Sequence, residues 1–289
     1  MTTAATTRSA PSHLTRLKRR TGGGEALVGF LLLGMLVFIA AGAPWIAPHD
    51  PEAIATGRVL GPPDLGHLFG SDALGRDVFS RVLYAFRVSL SVAIGSVILA
   101  ALIGVPIGLI AGYRGGRVDA MLMRPLDLLL ALPALLLAIA LIAIIGPGAL
   151  TVLVAAALIY VPILARVVRG SVMVTKQMPY VDAARARGVA ERSVMIRHVL
   201  PNSVGPALIQ GTVLMGFAIQ IEAALSFLGL GAQPPTPSLG VMLSDGRDVL
   251  TQAPWDEIFP GLAIAVTVLA LTLVGDGLRR QLDPRGMAR

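Results

Sequence analysis

Six stretches of about twenty apolar residues set the terms on which this chain can fold, because each is long enough to cross a bilayer as a helix. They cover residues 26–43, 88–112, 120–145, 149–168, 203–224 and 258–277. In lipid a lone spanning segment must satisfy its own backbone, which a helix does and an unpaired strand does not. The period-two alternation of a membrane barrel strand is missing from these runs. Hydrophobic residues make up 55 % of the chain and charged residues 14 %, against roughly 25 % charged in soluble domains. An ordinary soluble enzyme and a disordered chain are both excluded. The fold class is therefore an all-α membrane protein with six transmembrane helices. Between the third and fourth stretches stands only Gly146-Pro147-Gly148, a tight turn by composition.

The basic residues orient the bundle. With the N-terminus in the cytoplasm, nineteen of the 24 Lys and Arg residues fall on inner segments and five on outer ones. The positive-inside rule then predicts a multi-pass protein with both termini cytoplasmic. The net charge of +7 reads as basic loops beside lipid, and no nucleic-acid partner is expected. The first apolar run is too long for a cleaved signal peptide and is read as a retained anchor. Cysteine is absent, which excludes thiol catalysis and cysteine metal sites. His13, His49, His67 and His198 are scattered without H-x-x-x-H spacing, so no metal site is expected. Neither Lys18 nor Lys176 follows a glycine, so the chain has no phosphate-binding loop of the G-x-x-x-x-G-K-[ST] type.

Three regions follow: a flexible basic cytoplasmic tail over 1–24, the first span with an extracytoplasmic segment over 25–87, and a five-span core over 88–285. Within the second, Ser71 and Asp72 read as a helix start. Leu74, Val78, Val82, Leu83 and Phe86 then recur at helical spacing, which predicts an amphipathic helix lying at the interface and leading into the second span. Residues 229–257 are too polar and broken to span; they fit a lid, a docking surface or a plug. Gly104, Gly108 and Gly112 recur every four residues, a small-residue stripe for close helix contact, more readily with another span of this chain than with a partner. Pro133 and Pro162 are expected to kink the third and fourth spans. Asp127 sits one turn after Arg124, as in an i,i+3 ion pair. Glu222, a carboxylate inside the fifth span, reads either as a path or gate residue or as a lock on the turn that follows.

The inner segment 169–202 is the most informative. Pro179 suits the first turn of a helix, the run from Asp182 to Arg187 favours one, and Gly188 fits its end. A second short helix over 191–199 should stop at Pro201. Two short helices joined at a glycine make a protruding knob, and small alanines let another protein approach closely. A plain hairpin is the simpler alternative.

At this segment the sequence resembles a known family. Asp182-Ala183-Ala184, then Gly188, then Ile196-Arg197-His198-Val199-Leu200-Pro201-Asn202 are similar to the E-A-A motif of ATP-binding-cassette importer permeases, with Asp where the family usually has Glu. Phe69-Gly70-Ser71-Asp72-Ala73-Leu74-Gly75-Arg76-Asp77-Val78-Phe79-Ser80-Arg81 and Glu222-Ala223-Ala224-Leu225-Ser226-Phe227-Leu228-Gly229-Leu230-Gly231 resemble stretches of the dipeptide, oligopeptide and nickel branch, C-type subunit. The resemblance covers residues 25–285 or so. It implies a type I importer permease fold in a bacterial inner membrane. It implies one half of a translocation path shared with a homologous second permease, two cytoplasmic ATPases docked on the knobs, and an extracytoplasmic substrate-binding protein. Asp182, Ala183, Ala184, Gly188, His198 and Pro201 would form the ATPase-coupling motif. This chain would carry no catalytic residue and no cofactor, with ATP–Mg bound on the partner ATPases. Peptides are the expected cargo, with nickel or metal chelates and other small solutes as alternatives. A secondary transporter or a membrane scaffold is the rival from another class.

Overall fold

The computed structural model describes residues 13–282, which are almost entirely helical. Helix α1 (His13–Ile46) is followed by an irregular segment, then α2 (Val78–Arg114), α3 (Gly116–Leu130), α4 (Ala134–Ile145) and α5 (Ala149–Thr175). A knob of short pieces comes next: α6 (Pro179–Ala186), α7 (Glu191–Ser193), a π-helical stretch (Val194–Val199) and α8 (Leu200–Ser203). The chain closes with α9 (Gly205–Phe227), α10 (Leu239–Arg247) and α11 (Trp255–Leu282). Of the tail expected over 1–24, residues 1–12 lie outside the described residues, and from His13 onward the backbone is helical and continuous with α1.

Among the described residues, five helices are long and apolar enough to span a membrane alone, and α3 with α4 passes the same test only as a bent pair, which is the geometry of a broken span or a re-entrant loop. The kink expected at Pro133 is a full break, with α3 and α4 meeting at 92°. Proline gives no N–H to the helix and drives the preceding residue out of the α region. Pro133 instead opens α4 with ψ 127, in extended geometry. Pro162, by contrast, sits inside an uninterrupted α5.

The centre of the bundle is the α2–α5 seam, with α9 laid against both helices and α11 bridging α9 to α1. The glycine stripe of α2 makes the seam, and its partner is this chain. A Cβ on Gly104 would stand 2.8 Å from the Val161 carbonyl, and one on Gly112 would stand 2.7 Å from the Arg169 carbonyl. Gly108 likewise faces the Ala165 carbonyl. Three successive turns of α2 thus lie directly on the backbone of α5, where attraction comes from close packing because lipid offers no hydrophobic drive.

The irregular segment and α10 build a cap at the opposite end from the knob. The helix expected to start at Ser71 and lead into the second span is present only from Val78, and it is continuous with that span. Residues 71–77 form a turn, and the helix starts at Val78, N-capped by Asp77, whose carboxylate accepts the Ser80 N–H at 2.8 Å. Asp72 instead accepts from the Leu74 and Arg76 N–H groups and pairs with the Arg76 Nε at 2.6 Å. Leu74, in the turn, is exposed, but Val78, Val82, Leu83 and Phe86 are buried, because the cap covers the start of α2. Phe69 stacks on Phe259 of α11 with ring centroids 3.9 Å apart and meets Phe79 edge-on, while Trp255 donates to the Ser71 carbonyl. Within the stretch 229–257, Leu239 and Met242 of α10 are buried against α9 and α11. Two histidines far apart in sequence also meet in the cap: His49 and His67 lie with near-parallel rings, centroids 4.9 Å apart, beside Asp77.

The seam yields a test. Gly108→Ala forces a methyl onto the α5 backbone, and we expect a loss of roughly 1–3 kcal/mol, the usual cost of overpacking. Gly216→Ala, where a Cβ meets nothing within 4 Å, should be neutral or slightly stabilising. Thermal unfolding of the two purified variants in detergent checks the contrast; equal midpoints would refute the seam's role.

Candidate functional site

The knob is built where α2 and α5 end. Lys176, just past α5, donates to the carbonyls of Gly112 at 2.7 Å and Tyr113 at 3.2 Å. These are end carbonyls of α2 with no intrahelical partner, and a cation there also suits the helix dipole. Arg169 of α5 forms a two-pronged bond with Asp119 of α3, at 2.5 and 2.6 Å. Asp127 does not pair with Arg124 as expected. It accepts from Arg166 at 2.6 Å, because α3 runs alongside α5. Both members of that pair are half exposed, so the pair contributes at most about 1 kcal/mol.

Pro179 opens α6, and Gly188 closes it in the left-handed region at φ +75. The Gly188 N–H donates to the Arg185 carbonyl, and the Val189 N–H reaches back to Ala184. This pair of bonds is a Schellman cap, which requires a residue at ease with positive φ. Gly188 therefore turns the chain between the two knob helices. Pro201 does not end the second helix, as the sequence suggested. The backbone stays helical through Ser203, and the break comes at Val204. Proline cannot donate to the carbonyl four residues back. The turn before it is correspondingly wide, with the Leu200 N–H bonded to the Met195 carbonyl five residues away.

The coupling-motif residues do not share one surface. Asp182, Ala183, Gly188 and Pro201 are exposed, Ala184 is buried, and His198 is half-buried. The His198 backbone carbonyl accepts from the Asn202 side chain at 2.7 Å. Met178, Tyr180 and Ile196 present further apolar surface on the knob. Asp182 bonds Arg185 at 3.2 Å, and Arg185 also reaches Glu191 of α7 at 3.3 Å and the Tyr113 hydroxyl at 3.3 Å. The Tyr113 hydroxyl donates in turn to Glu191. The Tyr113 hydroxyl and the carboxylates of Glu191 and Asp182 hold the Arg185 pKa above its ordinary value. Arg185 thus fastens both knob helices to the end of α2. Tyr113 and Glu191 lie 78 residues apart, and no local pattern announces their contact. A cleft of about 680 Å³ opens beside this hub, lined by Ile110, Tyr113, Arg114, Arg185, Glu191, Arg192 and Met195.

Glu222 lies in the cap-end half of α9 and is 1 % exposed. One carboxylate oxygen accepts from Ser89 of α2 at 2.8 Å, and the other accepts from Ser226 at 2.7 Å. The residues after it end α9 with a second Schellman cap. Gly229, at φ +77, donates to the Ser226 carbonyl, and the Leu230 N–H reaches Leu225. The close approach of α10 at Gly240, whose Cβ would strike the Ala223 carbonyl, completes this corner.

Residues 104–286 match the family described as binding-protein-dependent transport system inner membrane component. Residues 15–63 match the N-terminal TM domain of oligopeptide transport permease C. The di/tripeptide transport system permease protein DppC of Pseudomonas aeruginosa is 42 % identical over 266 residues, covering 90 % of this chain and 88 % of that protein. The glutathione transport system permease protein GsiD of Pectobacterium atrosepticum is 44 % identical over 261 residues, covering 90 % and 87 %. Among solved structures, the inward-facing MetNI methionine ABC transporter superposes with a TM-score of 0.57 at 16 % identity, over 70 % of this chain and 96 % of that one.

The Gly188 turn can be probed directly. Gly188→Val puts a β-branched residue at positive φ, at a cost of about 1–2 kcal/mol or more. Gly188→Asn should be tolerated better, since Asn accepts this region. We expect limited trypsin digestion to cut at Arg185 and Arg187 faster in the valine variant than in the asparagine variant, with membrane insertion unchanged in both.

Proposed function

The chain belongs to the family of binding-protein-dependent transport inner membrane components, and from that premise we propose that it is the C-type permease subunit of an ATP-driven importer of short peptides. The observation that carries the proposal is the match of nine-tenths of the chain to di/tripeptide and glutathione permeases, glutathione being itself a tripeptide. In this reading the chain supplies one half of a path, and a homologous second permease supplies the other. It sits in the inner membrane with both termini in the cytoplasm, an orientation supported by the bias of Lys and Arg toward the knob side. The extracytoplasmic substrate-binding protein then faces the cap.

Two cytoplasmic ATPases bind and hydrolyse ATP–Mg, and one of them docks on the knob of this chain. The geometry suits such docking. Ala183 and the apolar side chains of Met178, Tyr180 and Ile196 give a low surface that a partner can approach. Arg185, Glu191 and Tyr113 pass motion of the knob into α2, and Lys176 joins the end of α5 to the same point. Asp182, one methylene shorter than the family's Glu, serves through Arg185. His198 and Pro201 shape the second helix, and no residue of this chain performs chemistry.

Glu222 is the polar lock between α2 and α9 in this reading, since its carboxylate is enclosed and met by two hydroxyls.

Two outcomes follow. Mild-detergent purification of the tagged chain should recover a second permease and ATPase subunits, and membranes carrying them should take up labelled dipeptide. Gly188→Val should lose the ATPase and the uptake together; uptake at the wild-type rate would overturn the docking assignment. Glu222→Gln, which can still bond both serines, should keep most of the uptake. Glu222→Leu leaves two buried hydroxyls unmet, at about 1–3 kcal/mol each, and should fail to assemble. A fully assembled but inactive Glu222→Gln complex would favour a gate instead.

A further inference from the structure

Among the described residues, three buried polar atoms of the cap lack a hydrogen-bond partner: His49 Nδ1, which lies 3.7 Å from Asp77 Oδ2, His67 Nε2 and Asp77 Oδ1. Such atoms are rare in folded proteins and ask for an explanation. These three belong to one cluster, in which each residue offers a ligand atom and all the offered atoms lie within 4.8 Å of one another. Asp77 is 0 % exposed, so its free oxygen cannot turn to bulk water.

The surroundings hold the three groups in place. The other Asp77 oxygen accepts from the Ser80 N–H at 2.8 Å and the Ser80 hydroxyl at 2.6 Å, which leaves Oδ1 directed elsewhere. The His49 backbone N–H donates to the same hydroxyl at 3.2 Å. The His67 Nδ1 faces the Asp64 carboxylate at 3.7 Å, leaving Nε2 toward the cluster. Gly57 makes room for the ring, since a Cβ there would stand 2.8 Å from His67 Nε2.

From this geometry we infer that His49, His67 and Asp77 form a binding site for a divalent transition-metal ion of the zinc type. Two imidazoles and one carboxylate suit zinc and its neighbours better than magnesium or calcium, which prefer oxygen throughout. Three protein ligands leave a fourth position to water. Zinc bonds of about 2.0–2.1 Å set tetrahedral ligand atoms about 3.3 Å apart, so binding draws the two imidazoles inward. The ion clips the segment after α1, the loop around His67 and the first residue before α2 at a single point. His49, His67 and Asp77 lie 18 and 10 residues apart in sequence, far from any short ligand motif.

The test uses the full chain, purified in mild detergent with the subunits that accompany it, stripped with chelator and dialysed against zinc. We expect about one zinc per copy of this chain beyond what the His49→Gln and His67→Gln preparations retain, as a three-ligand site holds one ion. His198→Gln should keep the full complement. Gel filtration confirms that each variant is folded and assembled. If the ligand variants do not assemble, the wild-type protein still decides. Cobalt added to the stripped protein should give the visible d–d absorption of a low-coordinate site and should be displaced by zinc. The same zinc content in wild type and in folded His49→Gln and His67→Gln, or no cobalt absorption in the stripped wild type, would overturn the site and leave the cluster to water.

Discussion

Everything in this bundle hangs on how closely α2 approaches α5. Three glycines on successive turns of α2 face carbonyls of α5, and no side chain stands between the two backbones. In lipid that closeness is the main source of attraction, since burying apolar surface gains little there. The seam then dictates what surrounds it. Because the two helices are locked side by side, their ends lie together at each face of the bundle. At one face Lys176 and Tyr113 can meet, and the knob is tied to both helices. Toward the other face Ser89 of α2 lies within reach of Glu222, and α9 is fixed against the same pair.

Charge is used sparingly and at defined places. Near the cap, Asp72, Arg76, Arg81 and Asp245 form a network in which Arg81 is only 3 % exposed, so removing one partner would strand a buried charge. Burial raises the Asp245 carboxyl above its ordinary range, while Arg81 and Arg76 draw it back. On the knob the ion pairs are open to solvent and individually weak. The single carboxylate deep in the bundle, Glu222, is paired with hydroxyls and with no cation.

The sequence disclosed those features that depend on local rules. Apolar length gave the spans, and Gly188 and Pro179 marked the first knob helix because caps and first turns are local chemistry. Pro133 was rightly singled out, but its effect was underestimated. A residue preceding proline can either bend a helix or leave it, and only the packing of α3 along α5 decides which. The late start of α2, at Val78 and not at Ser71, has a similar cause. Val78, Val82 and Phe86 show the same spacing whether they rest on lipid or under a cap, and part of that cap, α10, lies more than 150 residues further along the chain. Asp127 found Arg166 and not Arg124 because pairing follows the neighbouring helix. The meeting of His49, His67 and Asp77 was invisible for the same reason, since no spacing rule joins residues brought together by an irregular segment.

The uninterrupted run of α2 has a consequence for amplitude. With 37 residues it is about 55 Å long, nearly twice the hydrocarbon thickness it crosses. One end is held under the cap and the other carries the knob. A rod of that length gears angle into distance: a tilt of about 10° about the cap end sweeps the knob end through roughly 9–10 Å. Modest rotation is therefore enough to carry the far end of α2 through about the width of a helix.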